Sequence, residues 1–91
     1  MKILITGGAG FVGSALAINI KTHYPSYEVI CLDNLKRKGS ELNLPRLAKA
    51  GAVFFHGDIR NKEDFDSLPK VDFVIEASAE PSVLADRKSV V

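Results

Sequence analysis

KILITGGAGFVGSALA, residues 2–17, is the stretch that decides the fold of this chain. Lys2-Ile3-Leu4-Ile5-Thr6 is a short apolar run ending in glycines, the pattern of a strand buried on both faces. Behind it Val12, Ala15, Leu16, Asn19 and Ile20 recur at helical spacing, four of the five apolar. That spacing predicts a helix from about Gly10 to Thr22, stopped by Pro25, with the flanking tyrosines in the turn. Between strand and helix stands Gly7-Gly8-Ala9-Gly10-Phe11-Val12-Gly13, a G-x-x-G-x-x-G spacing. Gly7 permits the sharp turn out of the strand, where a side chain would force a strained backbone. Gly10 lets the backbone approach a pyrophosphate, and Gly13 lets the helix pack closely on the strand. The helix N-terminus adds unpaired N–H donors and a positive dipole end, both suited to phosphate oxygens.

Working outward, the alternation continues. Glu28 to Leu32 reads as a second buried strand, closed by Asp33-Asn34. Ser40 to Ala50 reads as one helix with Pro45 in its first turn and Gly51 as its stop. Ala52 to Phe55 is the third strand, ended by Gly57-Asp58. Asn61 is placed to cap a short helix, with Asp64 reaching back three residues, Phe65 and Leu68 facing inward, and Pro69 ending it. Asp72 to Ile75 begins a fourth strand, and Ser82-Val83-Leu84 opens another helix. Repeated strand-helix-strand units imply parallel pairing with right-handed crossovers. The expected fold is therefore α/β: a Rossmann-type three-layer αβα sandwich with sheet order 3-2-1-4, the cofactor crossing the carboxyl ends of the strands. Lys88 to Val91 would leave the last helix barely formed, and such a sheet normally continues. Residues 1–91 are accordingly expected to be the N-terminal half of the domain, without its catalytic and substrate-binding part.

Asp33 ends the second strand 20 residues after Gly13. A carboxylate there can accept hydrogen bonds from the ribose 2′- and 3′-hydroxyls and would repel a 2′-phosphate, which favours NAD over NADP. Arg37 and Lys38 are the opposing signal, since they could reach a 2′-phosphate; a solvated loop would look the same. Asp58, after the third strand, can accept from the adenine amino group or simply cap its loop, and Ile59 can cover the ring. Ala77-Ser78-Ala79, small residues ending the fourth strand, leave room for the cofactor ribose and pyrophosphate. His23 and His56 have no partner acid or nucleophile nearby in sequence and read as structural or solvent-facing.

The bulk composition narrows the rest. Hydrophobic residues make up 46% and charged residues 25% of 91, an ordinary globular balance, and the formal charge is +1. No basic stripe points to nucleic acid and no apolar stretch approaches membrane-spanning length. A single cysteine, Cys31, cannot form an internal disulfide, and its apolar run makes it a buried, inert thiol. No Cys/His spacing suggests a metal site. A cytosolic location is the simplest expectation.

ITGGAGFVGSALA, together with Asp33-Asn34-Leu35 and His56-Gly57-Asp58-Ile59-Arg60, resembles the extended short-chain dehydrogenase/reductases, the NAD-dependent epimerase/dehydratase group. Within the group, residues 34–40 with Asn43-Leu44, and Ala79-Glu80-Pro81-Ser82, are most similar to the CDP-paratose 2-epimerase branch. The resemblance implies pyrophosphate contacts from Gly7, Gly10, Phe11, Val12 and Gly13, and adenosine ribose contacts from Asp33 and Asn34. It further implies Arg37 and Lys38 over the adenine side, Asp58 and Ile59 flanking adenine, and Ala77, Ser78 and Ala79 on the path to nicotinamide. Ser82 would stand near the substrate, a nucleotide-sugar, and the complete enzyme would be a homodimer. One departure is Glu76-Ala77-Ser78-Ala79, where the group has His-Leu-Ala-Ala or similar; Glu76 and Glu80 add negative charge.

The chemistry that the resemblance implies is hydride removal from a sugar carbon and its return, with the tyrosine of a Tyr-x-x-x-Lys pair as base. Tyr24 and Tyr27 are the only tyrosines, and the residues four on are Glu28 and Cys31. The chain therefore carries cofactor-binding residues and no catalytic ones. Three readings follow: the cofactor-holding part of an NAD-dependent nucleotide-sugar epimerase or dehydratase, an NADP-dependent reductase of the same superfamily, or a non-catalytic dinucleotide sensor.

Overall fold

The computed structural model describes residues 1–58 and 60–77. Its elements in chain order are β1 (Lys2–Thr6), α1 (Phe11–His23), β2 (Glu28–Asp33), a 3-10 turn (Ser40–Asn43), α2 (Leu44–Ala50), β3 (Val53–His56), α3 (Lys62–Asp66) and β4 (Phe73–Glu76). The four strands form one parallel sheet in the order β3-β2-β1-β4, as the alternating pattern requires. The chain winds outward from β1 through β2 to β3, then crosses back to place β4 on the other side of β1. That reversal opens a crevice at the carboxyl ends of β1 and β4.

Both faces of the sheet are covered. Ile3, Ile5, Val29 and Cys31 point to one face, where they pack with Ala9, Ala17, Leu47 and Ala52 beneath α1 and α2. Leu4, Ile30 and Leu32 point to the other, against Phe55, Leu68, Val71 and Val74. Alternation within a strand thus feeds two layers, and β1 and β2 are apolar almost throughout because both faces are dry.

Two expectations are corrected. The helix read as Ser40 to Ala50 is two pieces: a 3-10 turn, then α2 from Leu44. An α-helix begun at Ser40 would put Pro45 in its interior, missing an N–H and clashing with the carbonyl four residues earlier; restarting at Leu44 puts Pro45 in the first turn, where neither matters. The core-facing stripe of α1 is also not the apolar spacing seen in sequence. Gly13, Ser14 and Ala17 are buried, whereas Val12 is 59% exposed. The helix lies too close to the sheet for large side chains at the contact, so small residues meet it while Leu16, Ile18 and Ile20 pack alongside.

Smaller outcomes follow the same logic. Gly51 ends α2 in the left-handed region at φ +89, and Asn61 caps α3 by accepting from Glu63 and Asp64 N–H (2.9 and 3.3 Å). Asp64 does not close the box on Asn61; its carboxylate takes the Asp58 N–H at 3.0 Å, bracing the loop after β3. The helix expected from Ser82 and the side chain of Phe65 lie outside the described residues. No described helix is long and apolar enough to cross a membrane.

The glycine turn is the tightest part of the fold. Gly7 adopts φ +67. A Cβ on Gly13 would overlap the Gly7 carbonyl oxygen and come within 2.9 Å of Gly7 C and Gly8 Cα. Gly13 therefore seats the helix on the turn itself rather than on the strand. Gly8 supplies the contact with the sheet: its Cβ would fall 2.7 Å from Cys31 Cα and 2.9 Å from the Ile5 carbonyl oxygen. Gly13→Ala is expected to cost about 2–3 kcal/mol, as backbone overpacking does. Gly39→Ala, at φ +92 with nothing within 4 Å, should cost about 1 kcal/mol of backbone strain; urea midpoints compare the two.

Cys31 is buried beneath this turn, and burial, then the charge of Asp33, pushes its thiol up to about 12. The folded chain keeps a proton that the unfolded chain releases near pH 8.5, so stability is full below that value and falls as pH rises toward 12. The thiol should ignore a disulfide reagent at pH 8 until urea unfolds the chain. Fast reaction of the native protein would contradict the burial.

Candidate functional site

A cleft of about 340 Å³ opens where the carboxyl ends of the strands meet the N-terminus of α1, a size within the usual range for ligand sites. It is lined by Gly7, Gly10, Phe11, Val12, Asp33, Asn34, Lys36, Arg37, Ser40 and Ala77. Eight of the residues singled out in the sequence meet there: Gly7, Gly10, Phe11, Val12, Asp33, Asn34, Arg37 and Ala77. A smaller recess of about 50 Å³ beside it takes in Thr6, Gly57 and Asp58 along with Gly7, Asp33 and Asn34. Gly13 is buried behind the turn and Lys38 is exposed outside the lining. Ile59, Ser78, Ala79 and Ser82 lie outside the described residues.

One wall of the cleft is backbone. Gly10 caps α1 with no side chain, no acidic residue follows in the first turn, and Ser14 N–H donates to Gly10 O at 2.9 Å where the helix begins. The N–H groups of Phe11, Val12 and Gly13 precede that bond, at the positive end of a 13-residue helix. Phe11 and Val12 are 87% and 59% exposed, so their side chains stand at the mouth rather than in the core.

The opposite wall is Asp33. Its carboxylate accepts Ala9 N–H at 3.0 Å through Oδ2 and Leu35 N–H at 2.9 Å through Oδ1. Thus the acid expected to meet a ribose also holds the glycine turn against β2. Each oxygen retains a further lone-pair site for a hydroxyl donor. Asn34 accepts Lys36 N–H at 3.0 Å and donates to Asp58 Oδ2 at 3.2 Å. Leu35, between them, is the one described non-glycine residue at positive φ, +59, strain of the kind that collects at binding loops.

Asp58 is more fully engaged than its sequence position suggests. Oδ1 takes the Arg60 N–H and Nε at 2.9 and 3.2 Å, while Oδ2 takes Arg60 Nη2 at 3.0 Å and the Asn34 amide. Four donors fill the lone-pair sites of a carboxylate. The Arg60 side chain foremost, then its backbone N–H, holds the Asp58 carboxyl well below the usual carboxylate range.

Sequence reasoning did not assign Lys36, Ser40 or Gly8 to the site. Lys36 and Ser40 belong to a loop whose course is set by the Asx bonds of Asp33 and Asn34, which spacing alone does not reveal. Gly8 had a signal: a glycine adjacent to Gly7, outside the spacing, opposite a small residue on β2. Asn43, noted only for its resemblance, donates to Ala9 O at 2.7 Å and fastens the turn from α2's side.

The departure at Glu76 is clarified by its direction. Its Oε1 accepts from Thr6 Oγ1 at 2.5 Å, on the face of Leu4 and Leu32, while Ala77 lines the cleft. Glu76 is 9% exposed and does not line the cleft. His23 bonds Asn19 O at 3.0 Å and His56 lies against Phe54; neither reaches the cleft. Among the described residues no cluster of His, Cys, Asp or Glu could hold a metal.

Fold, glycine turn and cleft define a Rossmann-type NAD-binding unit. Residues 3–89 match the NAD dependent epimerase/dehydratase family, and the chain belongs to that family. It is 49% identical over 69 residues to CDP-paratose 2-epimerase of Salmonella typhi, covering 75% of this chain and 20% of that protein. Its fold is similar to dTDP-glucose 4,6-dehydratase of Bacillus anthracis in complex with NAD: TM-score 0.78, 31% identity, 94% of this chain and 29% of that one. UDP-glucose 4-epimerase of Bifidobacterium longum, in complex with NAD+ and UDP, gives TM-score 0.72 at 26% identity over 86% of this chain and 24% of that one. The chain spans 20–25% of the length of the first curated relatives it matches.

The Asp58 clasp carries a pH consequence. A depressed carboxyl stabilises the fold above about pH 4 and loses that contribution as pH falls below it. Arg60→Gln should raise the Asp58 pKa by about 1–3 units and move the acid edge of stability upward. Carboxyl NMR titration reads the first effect and acid unfolding the second.

Proposed function

We propose that this chain holds NAD across the carboxyl ends of its strands, as the cofactor-binding part of a nucleotide-sugar epimerase or dehydratase. The observation that carries the reading is the pair of walls of the larger cleft: free N–H groups of α1 on one side, the Asp33 carboxylate on the other. In this arrangement Gly7, Gly10, Phe11 and Val12 receive the pyrophosphate, where the helix end and absent side chains suit a doubly charged group. Asp33 accepts from the adenosine ribose hydroxyls. Asn34 is held in place by Asp58, whose own role is then support of the ribose loop rather than contact with adenine. Ala77 leaves the cleft open toward the nicotinamide end, and Arg37 lies along the adenosine side.

Bound NAD would supply reversible hydride abstraction from a sugar carbon. Nothing in the described residues supplies the accompanying base. Tyr24 and Tyr27 stack on each other with ring centroids 4.9 Å apart in the turn before β2, at the amino ends of the strands. That is the edge opposite the cleft. The chain's own contribution is therefore to bind and orient, and turnover requires a proton-transfer group supplied from outside residues 1–77. The names of the relatives, an epimerase of CDP-paratose and a dehydratase of dTDP-glucose, support a nucleotide-sugar as the substrate class.

Titration with NAD tests the reading, and Asp33→Ala sharpens it. Loss of charge-assisted bonds worth about 1.5–3 kcal/mol should weaken NAD roughly 10–100-fold and NADP less. Equal losses for both dinucleotides would refute the ribose role of Asp33. Circular dichroism must accompany the variant, because Ala9 and Leu35 N–H also lose their acceptor.

A further inference from the structure

We infer that Asn43 is a positioning residue for pyrophosphate binding, acting through the carbonyl of Ala9 without touching the ligand. The inference rests on the orientation proposed above, with the pyrophosphate at the N-terminus of α1. An asparagine at the start of a helix normally sits in extended backbone and accepts from the helix's first N–H groups. Asn43 does neither. The 3-10 turn runs directly into α2, so Asn43 is itself helical at φ −86 and ψ −11, and its side chain makes no cap. The amide reaches instead to a residue 34 positions away, donating to Ala9 O at 2.7 Å, while its Oδ1 accepts from Arg46 Nη1 at 3.2 Å. Each end of the amide meets its complement, which fixes its orientation. Asn43 lines neither the cleft nor the recess beside it.

The Ala9 carbonyl shares one rigid peptide plane with the Gly10 N–H. Asn43 holds that plane by its oxygen, and Gly7 O holds it by the N–H at 3.0 Å. On the plane before it, Ala9 N–H is taken by Asp33 at 3.0 Å, and Gly8 N–H goes to Leu32 O at 3.1 Å. The N–H groups of Gly8, Ala9 and Gly10 are therefore spent inside the fold, and the pyrophosphate draws on those of Phe11, Val12 and Gly13. Gly10 alone joins the held plane to the Phe11 N–H. Glycine flanks Ala9 on both sides and resists rotation least, so the bonds at the two ends of the plane preorganise the start of α1 for its ligand. Linkage makes the effect mutual: bound pyrophosphate tightens the Asn43 bond by the factor that the bond lends to binding.

Asn43→Ala in the full 91-residue chain tests this; alanine suits the helical backbone at this position, and circular dichroism checks that the variant folds. NAD and ADP-ribose are expected to bind about threefold to tenfold more weakly by calorimetry, the loss of one neutral hydrogen bond. Adenosine, which carries no phosphate, should weaken less than about twofold by NMR shift titration. Equal losses for adenosine and ADP-ribose, or a loss for neither, would overturn the inference. A second measurement needs no variant. In the unmodified chain the Asn43 side-chain amide protons should exchange with water more slowly once ADP-ribose is bound, and no more slowly with adenosine. Exchange that ignores ADP-ribose counts against the inference even if Asn43→Ala fails to fold. NAD binding to which Asn43 is indifferent leaves the proposed function standing and removes only this inference. Binding of neither NAD nor ADP-ribose by the unmodified chain removes both.

Discussion

The absence of room for one carbon atom governs this structure. At Gly8 a Cβ would collide with the backbone of β2 and at Gly13 with the carbonyl of Gly7. The helix axis, the turn and the second strand are consequently locked at backbone contact distance. Such contacts do not relax as side-chain contacts do, because a carbonyl carbon or a Cα cannot rotate away. The position of the first turn of α1 over the end of β1, and hence of its free N–H groups, follows from them. A helix set one side chain further out would still cover the sheet, but its N-terminus would no longer line the cleft with Asp33.

Hydrogen bonds then fasten what sterics have placed. Asp33 reaches from the end of β2 to Ala9 in the turn, Asn43 reaches to the carbonyl of the same residue, and Gly8 N–H meets Leu32 O at 3.1 Å. A second chain of bonds runs from Asn34 to Asp58 and on to Arg60, joining the ends of β2 and β3. Polar side chains at the carboxyl edge thus serve the backbone first and a ligand with their remaining lone pairs. This arrangement limits how such a residue can be changed: loss of the Asp33 carboxylate would remove the proposed ribose acceptor and, with it, the bond that holds the turn at Ala9.

The parts of this fold legible in the sequence are those set by local periodicity and by glycine. The four strands, their parallel order and the strand-turn-helix unit follow from short apolar runs, helical spacing and G-x-x-G-x-x-G, since each has a cause within a few residues. What could not be read depends on distance in space. The buried stripe of α1 is Gly13, Ser14 and Ala17 because the sheet lies close, and an apolar spacing cannot report that distance. Asp64 passes over Asn61 to brace Asp58 because β3 delivers that N–H to it. Lys36 and Ser40 reach the cleft through a loop bent by the Asx bonds of its neighbours. The split at Leu44 was legible in principle, since Pro45 bars a helix begun five residues earlier.

The switch point itself explains why binding groups gather here. β1 has β2 on one side and β4 on the other, pairing Thr6 with both Leu32 and Glu76. The connection leaving β1 turns away from β4 through the glycines into α1, and strand ends at such a reversal of order border a crevice. Glu76 closes the far face of that crevice through Thr6, while Ala77 keeps the near face low. Had the larger side chain of the pair pointed the other way, a buried carboxylate would stand where the cleft now runs. Strand alternation, a property of two adjacent residues, therefore decides that the end of β4 turns a carboxyl group to one face of the sheet and leaves space at the cleft on the other.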